Sequence, residues 1–396
     1  MWRNVLCILI CTGLPSAELT FADDSAPIRT SAGLFDQQQP TTLGLTAIRG
    51  RHQHIYRATA DGYKFCHHAN LAAWRDRLYL MWSNGIAHED HNGQRVLFSM
   101  TSDGLHWSRP DVLIPDCDGA GPLASVAAGW HGSHEQLVAY YTAIPEKNPG
   151  DDDRNMLFCV TSTDGKSWSA PHQLGQGFFI EGPRRLPGGR LLMNGQWPNQ
   201  QPRMRFSDAD DGVHGWKDAH IPQISGVFSF PEPSWFRRPD GALVAILRTK
   251  SGDPRIYASV SHDQGTRWTK PAQTEFPDAT ARAFAGNLPD GTSFIISNTS
   301  TTPSKSHPTI GQRTPLTIAL SDDGKVFKRA YTVQNAATHM RFAGVHKVDG
   351  WQYPTALSWK RNLYIAYSIN KEDVGVTRIA LDDLSTSPAP SRQQSK

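Results

Sequence analysis

The chain has 396 residues, with 40 Lys and Arg against 37 Asp and Glu, a formal net charge of +3. A balance this mild, with its basic residues scattered along the chain, excludes the positive stripe expected of a nucleic-acid partner. Hydrophobic residues at 38%, with 33 Gly, 27 Pro and 12 Trp, describe a turn-rich β protein and exclude a disordered or mainly helical chain.

In chain order, residues 1–22 read as a signal peptide. Arg3 supplies the charged start, Val5 to Leu14 the apolar centre and Thr20-Phe21-Ala22 the small-residue cleavage site. The protein is therefore expected to be secreted or periplasmic. The apolar run is too short to span a membrane, and neither Cys7 nor Cys11 follows the small residue of a lipoprotein site. Residues 23–44 form an N-terminal extension, 45–385 the folded domain, and 386–396 a polar tail expected to be disordered. Cys66, Cys117 and Cys159 remain after the signal, which allows one disulfide and a free thiol, or none.

The folded domain repeats. Ser102-Asp103-Gly104 precedes Trp107, Ser162-Thr163-Asp164-Gly165 precedes Trp168, Ser261 to Gly265 precedes Trp268, and Ser321-Asp322-Asp323-Gly324 precedes Phe327. A looser copy runs from Ser207 through Asp211-Gly212 to Trp216. The aromatic anchors recur about every 50 to 60 positions, the size of one propeller blade. In each copy the Asp is expected to accept backbone N–H bonds within a hairpin turn, the Gly to supply a positive φ, and the ring to pack back on the hairpin. These aspartates are turn staples, not catalytic acids.

Ahead of the boxes a second pattern recurs: Arg77 to Trp82, Gln136 to Tyr141, Gly189 to Met193, Gly241 to Ile246, Gly291 to Ile296 and Asn362 to Tyr367. Six blades follow directly, and the segment Leu45 to Tyr56 either closes the ring or belongs to a seventh. The fold class is all-β, a six- or seven-bladed β-propeller with a pocket where the inner strands converge.

Candidate chemistry gathers in the first blade, where Cys66-His67-His68 precedes the repeated strand and His88-Glu89-Asp90-His91 follows it. Strand, turn and strand geometry places His68 and His88 at one end of neighbouring strands, as acid, base or hydrogen-bond donor. Surface histidines, or a structural Zn²⁺ on Cys66, His67 and another His, are the competing readings, although no closed four-ligand spacing is present. In the second blade Tyr141 aligns with Trp82 and Tyr367 as a pocket-facing candidate, and Arg154 starts the next strand after Asp151 to Asp153. Arg248 directly follows the strand Leu243 to Leu247, Glu181 and Glu232 stand at strand starts beside prolines, and Tyr353 and Lys371 lie in the last blade. Arg248, Tyr353, Glu232 and Lys371 are taken as substrate-binding.

The S-x-D-x-G-x-x-W boxes resemble the Asp-box (BNR repeat) of the sialidase superfamily. Leu78 to Gly85, Glu89-Asp90 and Gly93 to Val96, with the closing Leu363 to Asp373, are similar to the first and last blades of secreted ulvan lyases and of α-L-rhamnosidases acting on rhamnose–glucuronate linkages. That resemblance spans roughly residues 45 to 385 and implies two histidines, a tyrosine and an arginine as the catalytic set, matched by position to His68, His88, Tyr141 and Arg154. It implies β-elimination on an acidic, uronate-containing polysaccharide or oligosaccharide. An arginine neutralises the carboxylate so that the neighbouring proton can be removed. No cofactor is required, a structural metal remains open, and a monomer without a nucleic-acid partner is expected.

Sialidases bind the substrate carboxylate through three arginines, the first in an Arg-Ile-Pro motif, and use a Tyr/Glu nucleophile pair with an Asp acid. Here Tyr56-Arg57-Ala58-Thr59 stands near the expected start without that motif. Two alternatives stay open: a glycoside hydrolase of sialidase or α-L-rhamnosidase type, with Glu89, Asp90, Glu181 and Glu232 as its carboxylates, and a non-catalytic glycan-binding propeller.

Overall fold

Apolar runs broken by Gly, Asp and Pro turns fold into short antiparallel strands that hydrogen-bond to their sequence neighbours. The computed structural model describes residues 26–116, 123–145, 154–197, 201–250, 252–305 and 307–385. The expected signal peptide, the tail 386–396 and Cys117 lie outside them.

Blade 1 is built from Phe65–Trp74, Arg77–Gly85, Arg95–Thr101 and Asp111–Ile114, in sheet order. Blade 2 runs from Ala124–Gly132 to His172–Gln176, and blade 3 from two short inner pieces, Phe178–Phe179 and Arg184–Arg185, to Lys217–His220. Blade 4 spans Ser234–Arg237 to Ala272–Pro277, and blade 5 spans Phe284–Asn287 to Arg329–Gln334. Blade 6 takes three strands from the end of the chain, Trp351–Trp359, Asn362–Ile369 and Asp373–Ala380, and its outer strand, Arg51–Tyr56, from the start. The ring therefore has six blades and not seven, because the segment near Leu45 completes blade 6.

Each turn staple forms as the sequence implies. Asp103 Oδ1 accepts the N–H groups of Leu105 and His106 at 2.8 Å, and Asp164 Oδ1 those of Lys166 and Ser167 at 2.8 Å. The looser copy behaves alike, with Asp211 Oδ1 taking the Val213 and His214 N–H groups at 2.8 and 2.9 Å. The backbone N–H of His106 and that of Ser167 lead the bonds that hold Asp103 and Asp164 well below the usual carboxylate range, so neither is available as an acid.

The boxes also join blades. Gly165 (φ +74°) lies under the Tyr79 hydroxyl of the preceding blade, so that a Cβ there would collide with the phenol. The anchor rings continue the contact. Trp107 packs into the core between blades 6 and 1, Trp168 between 1 and 2, Trp216 between 2 and 3, Trp268 between 3 and 4, and Phe327 between 4 and 5. The cluster around Phe294 and Leu363 fills the remaining junction, between blades 5 and 6. Cys66 and Cys159 are buried free thiols in these layers. Among the described residues no helix is long and apolar enough to cross a membrane.

Candidate functional site

The inner strands are interrupted where they line the axis. Pairing of Phe65–Trp74 slips between His67 and Asn70, that of Ala124–Gly132 between Ala127 and Trp130, and that of Trp351–Trp359 between Gln352 and Thr355. Such bulges turn a side chain out of the strand's alternation and toward the axis. His68 and Tyr353 occupy two of them, each with φ +54°, and Glu232 and Lys371 also have positive φ, at +41° and +55°. Non-glycine residues in this region carry backbone strain, which concentrates here around one cavity.

That cavity has a volume of about 520 Å³, and His68, Glu89, Glu232, Arg248, Arg313, Tyr353 and Lys371 supply polar groups to its lining. Leu123, Ile144, Phe178, Trp197 and Phe230 add apolar surface to the lining. Trp197 is held as a platform by the Arg203 guanidinium, 3.2 Å from its ring centroid.

Three side chains from blades 4 and 6 form a closed hydrogen-bonded triangle. The Tyr353 hydroxyl donates to Glu232 Oε1 at 2.7 Å, while Arg248 Nη1 donates to Glu232 Oε2 at 2.6 Å and to the Tyr353 oxygen at 2.9 Å. Glu232 and Tyr353 each precede a proline at the inner strand of their blade. Burial, followed by the Glu232 charge, pushes the Tyr353 phenol up, so it stays protonated. Burial works against the charge of Arg248, but the groups around it, Glu232 foremost, together outweigh it and hold the guanidinium above its ordinary value. Arg313, whose guanidinium carbon is 5.9 Å from the Tyr353 ring centroid, is lowered by burial.

Blade 1 supplies the other half. The His67 ring lies 3.9 Å and the His68 ring 5.5 Å from that of Tyr353. His67 Nδ1 meets Ser368 Oγ at 2.9 Å, and His68 Nδ1 meets Ser83 Oγ at 3.1 Å. Burial, then the Lys371 charge, lowers both imidazoles well below their ordinary value, which leaves them neutral. Lys371 Nζ contacts Glu89 Oε2 at 2.5 Å, and burial lowers the ammonium against the pull of that carboxylate.

His67, His68 and Glu89 place their donor atoms within 4.8 Å of one another, the arrangement of a three-ligand metal group. The Lys371 ammonium pairs with Glu89 in the same cluster. Cys66 does not join it. Its thiol is pushed up by burial, and its Sγ is 3.4 Å from Asn84 Nδ2.

The structure thus gathers His68, Glu232, Arg248, Tyr353 and Lys371 at one cavity and leaves His88, Tyr141 and Arg154 off its lining. His88 is exposed, with Nδ1 accepting the Val345 N–H at 3.0 Å and its ring 5.0 Å from His91. Tyr141 stacks on Phe158 at 5.5 Å in the core between blades 1 and 2. It sits on a second strand, both faces of which meet neighbouring blades, so the alignment with Trp82 and Tyr367 marks a packing position and not a pocket position. Arg154 is exposed just before the third strand of blade 2, Met156–Ser162. Glu181 is buried outside the cavity, bonded to Arg184 at 3.0 Å and Arg282 at 2.8 Å. Sequence reasoning did not single out Arg313, which lies in a loop without a preceding apolar strand; its one signal was a basic residue just before blade 5 resumes at Leu316.

Residues 76–365 match the family described as the BNR repeat-like domain. Among solved structures, one described as a sialidase shares 18% identity and a TM-score of 0.65, over 89% of this chain and 35% of its own. The chain thus spans about a third of that protein. The leech intramolecular trans-sialidase, complexed with 2,7-anhydro-Neu5Ac, is similar over 85% of this chain and 71% of its own, at 12% identity and a TM-score of 0.63. The intramolecular trans-sialidase of Ruminococcus gnavus, in complex with oseltamivir carboxylate, is similar over 83% and 97%, at 13% identity and 0.62. At these identities the likeness is one of fold. No curated protein matches the sequence.

Proposed function

The chain belongs to the BNR repeat-like domain family, and from that premise we propose that it is a glycan-processing hydrolase of sialidase type. Its substrates in this reading are glycosides of sugars that carry a carboxylate on the anomeric carbon. The observation that carries this reading is the 2.7 Å hydrogen bond from the Tyr353 hydroxyl to Glu232.

A carboxylate nucleophile would be repelled by a substrate whose reacting carbon already bears one. A neutral phenol avoids that repulsion and needs only a base to take its proton, which Glu232 is placed to do. Tyrosine is the known exception to the two-carboxylate rule for this reason. Arg248, Arg313 and Lys371 hold the substrate carboxylate electrostatically. In the first step the Tyr353 oxygen bonds to the anomeric carbon as its proton passes to Glu232. The bond to the leaving oxygen breaks, and Asp90, which lines the cavity, protonates that oxygen. Water then attacks the same carbon, loses its proton to Asp90, and Glu232 returns the phenol proton.

A second reading is favoured by the neutral His68 beside the cavity cations. An unprotonated imidazole is a competent base for β-elimination on a uronate, with Arg248 rather than Arg154 as the neutralising arginine. The testing experiment offers the purified protein an aryl sialoside, sialyllactose and uronate polysaccharides. Release of free sugar from the sialosides supports hydrolysis. Growth of the ultraviolet band of an unsaturated uronate, without such release, overturns it in favour of elimination, and binding without turnover overturns both in favour of a glycan-binding module.

A further inference from the structure

Behind the two arginines lies a carboxyl that no step above uses. Asp278 directly follows the outer strand of blade 4 and is buried. Its Oδ1 accepts the Ala281 N–H at 3.2 Å, whereas its Oδ2 is buried without a hydrogen bond of normal geometry. Such an oxygen is costly to charge.

The segment that Asp278 anchors touches both arginine loops. Its N–H donates to Pro254 O at 2.9 Å, at the end of the loop that begins with Arg248 and Thr249. Two residues on, Thr280 (φ +55°) accepts Arg313 Nη2 on its carbonyl at 3.2 Å. Arg248 and Arg313 are the side-chain charges that act on Asp278, while the Thr249 and Ala281 N–H groups also favour its ionised form. Glu232 and Tyr353 lie beyond Arg248 in the triangle. Burial opposes ionisation more strongly than these partners favour it and raises the carboxyl to about 7.

We propose that Asp278 is a positioning residue that links anion binding at Arg248 and Arg313 to uptake of a proton. With the cavity empty, an ionised Asp278 offsets part of the charge of the two arginines. When a ligand carboxylate arrives, it takes over that role and Asp278 becomes protonated. By reciprocity, affinity for carboxylates rises as pH falls through the neutral range. The inference rests on the proposed reading only in assigning the two arginines to a substrate carboxylate.

The experiment is titration calorimetry of the full chain with free sialic acid, glucuronate and acetate, between pH 5.5 and 8.5, in buffers of different ionisation heat. Protons taken up on binding by the wild-type protein are counted directly, so the first readout needs no variant. The second compares the pH dependence with that of Asp278→Asn, which keeps an acceptor for Ala281. A loss of affinity of about three- to tenfold across that range, abolished in the variant together with the proton uptake, is the expected result. Equal pH slopes in the two proteins, or no proton taken up, overturn it. Binding of glucuronate but not sialic acid, with the expected slope, sustains the linkage and removes the sialidase reading. If no carboxylate binds, both fall.

Discussion

The Tyr353 hydroxyl and the Glu232 carboxylate meet at 2.7 Å although they are 121 positions apart in the chain, and Arg248 closes on both. Tyr353→Phe removes the nucleophile and leaves the cavity walls in place. Sialoside turnover is expected to fall by about a thousandfold or more, with binding of free sialic acid within a few-fold of wild type. A fall confined to binding would show that the hydroxyl is only a ligand contact. Glu232→Gln is expected to lower kcat in the same way, with a smaller effect on KM.

Arg248 is both an anchor and the partner of a buried carboxylate. Arg248→Ala leaves Glu232 with the Tyr353 hydroxyl alone, and an uncompensated buried charge costs about 3 kcal/mol. Chemical denaturation is expected to show that loss, and KM for an anionic substrate to rise more than kcat falls. Unchanged KM would remove the arginine from substrate binding.

Two glycines separate backbone strain from blade contact. Gly189 has φ +92° with open space around it, whereas Gly165 has φ +74° under Tyr79. Gly189→Ala is expected to cost about 1 kcal/mol, from backbone conformation alone. Gly165→Ala adds the collision with the neighbouring blade and is expected to cost about 1–3 kcal/mol more. Equal costs in urea would show that the box does not join blades.

His67 and His68 are lowered by burial from an ordinary value of 6.5. Below that pH the unfolded chain binds protons that the folded chain refuses, so stability is full above it and is lost as pH falls. Each group contributes a slope of up to about 1.4 kcal/mol per pH unit. Unfolding at pH 7, 6 and 5 checks this, and His67→Gln is expected to flatten the fall relative to its own value at pH 7.

The propeller was legible because its signal is local and repeated. Ser, Asp, Gly and an aromatic lie within one hairpin, and each copy reports the same turn. The site was less legible because two inner-strand bulges place His68 and Tyr353, and a bulge is a slip between two strands, invisible in either one alone. Position within blades points to Tyr141, which packs between blades, and carries no sign that Tyr353 and Glu232 meet in one hydrogen bond. The mark they share in the sequence is a following proline at an inner strand, Pro354 and Pro233. Asp278 left no mark, since its chemistry comes from burial behind Arg248 and Arg313.

Blade 6 joins Arg51–Tyr56 to three strands that end at Ala380. During synthesis the first of these strands emerges more than 300 residues before its partner, so it waits with an unpaired edge until the last is made. Contacts of such long separation form slowly. Tyr353 and Lys371 belong to that last blade, while His68 and Glu232 belong to blades made earlier. An incomplete chain therefore has no assembled cavity, and the appearance of activity during refolding is a direct clock for closure of the ring.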